Sequence, residues 1–347
     1  AQCLVGSEMC IRDSLCIKEG QVIMMDESLI FDYLLQYISP EISNILFKIS
    51  KDEKRKIEEI RLRNNSPLMV CYGGGDYYVS RNGKLIENEK YNFMVSKKHL
   101  FKTFQLVSNY SIYAFEEEIR NGFITLKGGH RVGIAGKIIY GPNGIETIKD
   151  ISSLNIRIAR EKIGVSDEIM KYLIKESNSI YHTLIVSPPQ CGKTTLLRDI
   201  IRNISNGMPG VNFKGRKVGV VDERSEIAGV YNGIPQKNIG ERTDVLDGCL
   251  KKDGIIMLIR AMSPEIIATD ELGGKEDIKA IYEALKAGVI LISTVHGKDL
   301  EDIMTKNNLG ELIEGKIFER IIILDNSKGV GTIRDILDGH TFISVIN

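Results

Sequence analysis

The stretch LIVSPPQCGKTTLL, Leu184 to Leu197, constrains this chain more than any other. An apolar run enters a tight Pro-Pro segment, and Gly-Lys-Thr-Thr then opens a helical pattern. Strand, loop and helix in that order turn backbone N–H groups of the loop and the first helical turn toward one point. The helix dipole makes that point attractive to an anion. The phosphate-loop pattern G-x-x-x-x-G-K-[ST] is met except at its first position, where Ser187 replaces glycine. Proline pre-sets φ for the turn, and a serine serves at the first position if its φ is negative. On this reading Ser187, Pro188, Pro189, Gln190, Cys191, Gly192, Lys193, Thr194 and Thr195 cradle a triphosphate. Gly192 gives close backbone access, Lys193 meets the β- and γ-phosphates, and Thr194 offers its hydroxyl to Mg2+.

Other apolar runs end on polar groups. SPEIIATDELGG ends on Asp270 and Glu271, KVGVVDERSEIAG on Asp222, Glu223 and Arg224, and GVILISTVHG on Thr294 and His296. Ligands of open α/β sheets bind at the C-terminal ends of the strands, so these tips belong beside the loop. One of the paired acids would hold Mg2+ through water, and its neighbour would orient or deprotonate the attacking water. His296 is read as a γ-phosphate sensor, whereas His99, His130, His182 and His340 are read as structural.

A length of 347 residues accommodates about two domains. From Tyr181 the strands HTLIVS, KVGVVD, EIIATD and GVILISTV alternate with helices expected at Lys193–Ile204, Gly254–Met262 and Lys275–Ala287. Such alternation predicts an α/β domain with a parallel sheet covered on both faces. RIIILDNSKGVGTIRDI reads as an antiparallel hairpin turning at Ser-Lys-Gly, and Val165–Asn178 as an amphipathic helix capped by Ser166. This domain is placed at residues 164–347, behind a smaller mixed α+β domain at residues 26–163. The smaller domain shows a helix over Glu27–Ile38 ended by Pro40, a solvated charged helix over Lys51–Glu59, and further helices at Lys97–Ser108 and Tyr113–Arg120. Strands are expected in EIRLR, PLMV and DYYVS, on either side of the Gly-Gly in FITLKGGHRVGIAGKIIYGPNG, and over Ser152–Arg160. Residues 1–25 are read as a non-native or disordered leader. Within them Ala1–Ser14 resembles translated sequencing-adapter sequence, and the native start is expected at Met24 or Met25.

Bulk properties narrow the partners. Lys plus Arg and Asp plus Glu each number 46, so no global field steers the chain to nucleic acid or anionic lipid. Tryptophan is absent and no basic module interleaved with aromatics is appended, so no nucleic-acid partner is expected. The six cysteines include no C-x-x-C pair and read as reduced thiols. No apolar run reaches about 18 residues, so no direct membrane insertion is expected. No basic segment followed by an apolar one marks a secretory signal, and a cytoplasmic location follows.

SPPQCGKTT, VVDERSE, IIATDELGG and STVHG occur in that order and resemble the Walker A, Asp box, Walker B and His box of the type II/type IV secretion ATPases. With GGHRVGIAGK, SSLNIRIARE and RTDVLDG they resemble, within that superfamily, the stage III sporulation AA family of endospore-forming bacteria. The resemblance runs from about residue 27 onward. It implies a RecA-like P-loop ATPase core behind the smaller domain, binding ATP and Mg2+ in a self-assembled ring of six. It further implies a role in energising a secretion-like channel between mother cell and forespore, with membrane-bound sporulation channel proteins as partners at the mother-cell membrane.

Two departures matter. The earlier histidine of the His box is Gly288 here, which leaves His296. The usual lone Walker B glutamate aligns with Glu271, which leaves Asp270 as an additional acid. The general base is therefore Glu271, Asp270 or Glu223. Glu271 is favoured, with Asp270 and Thr194 on the metal. Arginines that neutralise the γ-phosphoryl charge are sought among Arg131, Arg157 and Arg160 in the first half and Arg242 and Arg260 in the core. In a regular strand Arg157 and Arg160 face opposite sides, so at most one of them faces the site. Two other readings share these motifs: an ATPase stimulated by nucleic acid, and a nucleotide-gated scaffold with negligible turnover.

Overall fold

A computed structural model of the chain describes residues 15–18, 21–24, 27–87, 93–142, 144–175 and 178–346. Cys3, Cys10 and the adapter-like Ala1–Ser14 lie outside the described residues. Leu15–Lys18 and Gln21–Met24 pair as antiparallel strands. The chain divides into two compact units, Ala1–Arg160 and Glu161–Asn347.

The first unit is built on a seven-stranded antiparallel sheet. Its strands are β1 (Ile57–Arg63), β2 (Met69–Tyr72), β3 (Gly75–Val79), β4 (Leu85–Ile86), β5 (Phe123–Leu126), β6 (His130–Gly141) and β7 (Gly144–Arg157), in the order β4-β3-β2-β1-β7-β6-β5. Alternation in IEEIRLR buries Ile60 and Leu62 on one face and leaves Glu59, Arg61 and Arg63 on the other. The buried face joins one apolar core with α1 (Glu27–Leu34), α2 (Pro40–Phe47), α4 (Lys97–Val107) and α5 (Glu116–Arg120).

Two expectations are corrected here. Pro40 does not merely end a helix; it occupies the first turn of the next one, where its missing N–H costs nothing. The charged run after Ser50 is helical only over α3 (Lys51–Lys54), and Ile57 already belongs to β1. Nor is it wholly solvated, because Lys54 is buried with its ammonium 2.7 Å from Asp32 and 2.8 Å from the Phe47 carbonyl.

The second unit contains a seven-stranded sheet in the order β10-β9-β11-β12-β8-β13-β14. The strands are β8 (Thr183–Ser187), β9 (Val218–Asp222), β10 (Thr243–Asp247), β11 (Ile266–Thr269), β12 (Ile290–His296), β13 (Arg320–Asp325) and β14 (Thr332–Asp338). All neighbours run parallel except β13 and β14, the hairpin read from the sequence. Helices α7 (Lys193–Asn206), α8 (Lys251–Ala261) and α9 (Lys275–Lys286) connect the strands, and apolar clusters fill both faces. β8 is buried at every residue, as a central parallel strand should be. The parallel order brings Ser187, Asp222, Asp247, Asp270 and His296 to one edge of the sheet.

The amphipathic pattern of Val165–Asn178 does not yield a full helix. Only Met170–Leu173 (α6) is helical, and Ile174–Lys175 pairs with Ser179–Ile180 as a short ribbon. Ser166 is no cap: its N–H and hydroxyl each donate to Asp199 at 2.8 Å, and the Gly164 N–H donates to the same carboxylate at 3.0 Å. Burial pushes that carboxyl up, but Arg202 and these donors outweigh it and hold it below the usual range. The Asp199 carboxylate on α7 instead pins the backbone at Gly164 and Ser166.

Candidate nucleotide-binding site

The phosphate-loop segment forms the expected strand, turn and helix. Gly192 has φ of 84°, a left-handed value, and immediately precedes α7. A Cβ at Gly192 would lie 3.2 Å from Cγ1 of Val330 and 3.3 Å from Cα of Gly331, so a side chain there would also crowd the neighbouring turn. Those neighbours sit in the turn between β13 and β14, which braces the loop through Gly331 N–H to the Cys191 carbonyl at 3.1 Å. Gln190 also takes a positive φ, of 63°. The buried Cys191 points its thiol at the Pro189 carbonyl, 3.6 Å away. Pro188 is half-buried, Pro189 and Gln190 are exposed, and Thr194 and Thr195 are half-buried on the first turn of α7.

β12 lies directly beside β8, with Ser187 in register with His296, and the Ser187 carbonyl accepts from Gly297 N–H at 3.1 Å. The acidic strand β11 is therefore one strand removed from the loop. Glu271 bridges that gap. One carboxylate oxygen, Oε1, lies 2.8 Å from Nζ of Lys193 and 2.8 Å from Nε2 of His296, while Lys193 and His296 are 3.2 Å apart. The other oxygen, Oε2, takes Nη1 of Arg224 at 3.0 Å. The backbone of Glu271 is left-handed at φ 45° and its N–H donates to the Thr294 hydroxyl at 2.9 Å, which fixes the strained turn. Burial pushes this carboxyl up, but the hydrogen bond and charge of Lys193, then the charge of His296, outweigh it and hold it below its ordinary value.

The remaining acids have other surroundings. Asp270 is buried and its Oδ2 has no hydrogen-bond partner among the described residues. Burial, then the charge of Asp222, pushes its pKa up to about 7. An orphaned carboxylate oxygen of this kind suits a cation. Mg2+ takes one or two protein oxygens and fills its remaining positions with water and phosphate oxygens, so Asp270 and Thr194 fit as the protein's share. Asp222 is fully buried and accepts the N–H groups of Glu226, Ile227 and Ala228 at 2.8, 3.0 and 2.8 Å. Glu223, the rival candidate for general base, is ion-paired to Lys251.

The arginines expected in the core are not brought to this edge. Arg242 precedes β10, its carbonyl bonds Val218 N–H, and its Nη1 donates to the Ser205 carbonyl at 3.0 Å. It therefore sits where the strands begin. Helix α8 runs from the strand tips back to that same far edge and carries Arg260, exposed in its last turn. In the first unit, Arg157 donates to Glu59 at 3.0 Å and Arg131 stacks 3.4 Å from the Phe123 ring centroid. Arg160 pairs with Glu27 at 3.1 Å and donates to the carbonyls of Lys54 and Ile57. β7 ends at Arg157, so the regular strand assumed for Arg160 does not reach it. Arg224 is the arginine the structure brings to Glu271. Its signal was present in DERSE at a strand end, but sequence reasoning assigned it no role.

Three other histidines make hydrogen bonds within the fold, while His340 is exposed. His99 accepts the Ser96 N–H, and its other ring nitrogen meets Glu41. His130 and His182 each accept a distant backbone N–H, from Ala159 and Leu291 respectively.

Solved structures share this architecture. The DotB ATPase of Yersinia pseudotuberculosis matches 95% of this chain and 81% of its own, with a TM-score of 0.55 at 14% identity. The pilus retraction motor PilT with bound ADP matches 82% of this chain and 76% of its own, with a TM-score of 0.51 at 15% identity. The fold is thus that of the secretion ATPases, a RecA-like P-loop core with a smaller α+β unit before it. The family model of sporulation stage III, protein AA matches residues 32–343. Stage III sporulation protein AA of Bacillus subtilis (strain 168) is 42% identical over 305 residues, 88% of this chain and 94% of that protein. The chain belongs to the sporulation stage III, protein AA family. No helix among its described residues is long and apolar enough to cross a membrane.

Proposed function

We propose that this chain is a Mg2+-dependent ATPase. It works as a self-assembled ring, with six copies as the expected number, and energises a secretion-like channel assembly from mother cell to forespore during endospore formation. It acts at the cytoplasmic face of the mother-cell membrane through membrane-bound partners. The observation that carries the reading is the meeting of Lys193, Glu271 and His296 at the strand-tip edge, at the start of α7. Family membership supports the setting, and the shared fold supports a nucleotide-driven machine.

In this reading the N–H groups around Cys191–Thr195 bind the phosphates, and the N-terminus of α7 adds its dipole. Lys193 supplies a permanent cation to the β- and γ-phosphates. Asp270 and Thr194 hold Mg2+, which when bound neutralises charge on the phosphate oxygens. Glu271 orients the attacking water and takes its proton, and His296 reports the γ-phosphate. Catalysis here is positioning and electrostatics, because phosphoryl transfer asks little covalent chemistry of the protein.

Nucleotide binding and turnover of the intact chain, measured with its oligomeric state in the same samples, test this. Lys193→Ala should lose binding. Glu271→Gln should bind ATP but turn over about 100-fold more slowly, the usual loss of a general base. Wild-type turnover in Glu271→Gln would move the base to Glu223, and retention of tight binding in Lys193→Ala would remove the site altogether.

A further inference from the structure

We infer that Arg224 is the γ-phosphate-sensing arginine of this site, and that the Glu271 carboxylate holds Arg224, Lys193 and His296 together until a triphosphate replaces it. The inference rests on the nucleotide-binding reading above and adds to it an arginine that works beside His296 in distinguishing a triphosphate from a diphosphate.

Three separate elements deliver donors to this one carboxylate. Lys193 comes from the first turn of α7, His296 from the end of β12, and Arg224 from the loop after β9. A carboxylate and a terminal phosphate offer the same chemistry to such groups: negatively charged oxygens that accept charge-assisted hydrogen bonds. The cluster that closes on Glu271 is therefore already selected for an anion.

Charge points the same way. Asp222 is committed to three backbone N–H groups and Glu223 to Lys251. Glu271 is left to serve two permanent cations, Lys193 and Arg224. Lys193 and Arg224 are thus two cations that an incoming phosphate can engage in place of Glu271.

Arg224 is also built to move without its backbone. Its side chain is 60% exposed, while the loop that carries it is anchored directly behind it. The Asp222 carboxylate holds the N–H groups of residues 226–228, and the Arg198 guanidinium on α7 holds the carbonyls of Glu226 and Ile227 at 2.6 and 2.5 Å. Torsions of the arginine side chain alone carry the guanidinium from Glu271 to a nearby anion. When that happens Glu271 loses donors that engaged its lone pairs and is released to act on water. A diphosphate does not draw Arg224 across, so the base stays engaged.

The test is calorimetric binding of ADP and of the β,γ-imido analogue of ATP to the full chain, comparing wild type with Arg224→Gln and Arg224→Lys. Arg224→Gln should weaken the imido analogue about tenfold or more, the size of a charged hydrogen bond, and change ADP by less than about twofold. Arg224→Lys should recover part of the loss, since it keeps the charge but not the planar fork. Equal weakening of both nucleotides, which a purely structural arginine produces, overturns the inference, as does no change in either. If wild type binds both nucleotides and Arg224→Gln matches it, only this inference falls. If wild type binds neither, the nucleotide-binding reading falls with it.

Discussion

Asp270 is a buried acid whose nearest charged company is largely of its own sign. Its folded pKa of about 7 lies above the ordinary 3.8 of an aspartate, so the folded protein binds this proton more tightly than the unfolded chain does. The resulting stability is fully present below about pH 4 and is lost as pH rises to about 7. Asp270→Asn keeps the shape and cannot ionise. Nucleotide-free Asp270→Asn should match wild type near pH 4 and exceed it by up to about 4 kcal/mol above pH 7, at 1.36 kcal/mol per pH unit. Urea unfolding at the two pH values measures this, and a difference independent of pH would show that Asp270 ionises freely in the folded protein. Glu271, beside it, has the opposite character: its own burial is outweighed by Lys193 and His296. Two successive acids thus divide into an orphaned carboxyl suited to a cation and an ionised carboxylate gripped by donors. Their identities were legible in TDELGG, but their division of labour rests on partners that lie far away in sequence.

At the scale of elements, the start of the long connection between β9 and β10 is anchored by Asp222 on its N–H groups and by Arg198 on its carbonyls. Asp222 is fully buried and satisfies three successive N–H groups that no strand or helix pairs. Asp222→Ala strands those donors away from water. At about 1 kcal/mol or more for each unsatisfied group, the variant should lose about 3 kcal/mol of stability. Hydrogen exchange should accelerate at Glu226, Ile227 and Ala228 before it does in β8 or β9, and unchanged protection at those amides would contradict the anchoring role. The regular elements were the most readable part of the chain. Helices α7, α8 and α9 and the parallel strands follow their apolar periods, because each buries one stripe or a whole run. Val165–Asn178 has an equally good helical period, yet only one turn of helix forms and Ile174–Lys175 pairs instead with Ser179–Ile180. Thr243–Asp247, which became an edge strand, was legible only as part of a motif. None of its residues is fully buried, and it carries no apolar run.

At the scale of the molecule, each unit has its own core. One apolar cluster lies within residues 31–158, and two lie within residues 169–337. Residues 161–347 expressed alone should therefore fold, with cooperative thermal unfolding by circular dichroism and retained binding of a triphosphate to the Lys193 loop. A fragment that shows no cooperative transition would mean that its core is incomplete without the first unit. The proposed ring belongs to this scale too. Turnover that rises with protein concentration, in step with assembly measured by light scattering, is the outcome expected of an ATPase whose active form is the ring.

The amino-acid order by itself determined the phosphate loop, the parallel sheet and the acids and histidine at its tips. These depend on neighbours a few residues apart: an apolar period, a glycine at a turn, a lysine at a helix start. Only the tertiary structure decided which acid meets Lys193, which is buried with an unpartnered oxygen, and which arginine arrives. Glu271 lies 78 residues from Lys193 and 47 from Arg224, and strand order, with β12 between β8 and β11, determines that they meet. A carboxylate's role follows from the charges packed around it, and those are assembled by pairings that no local pattern encodes.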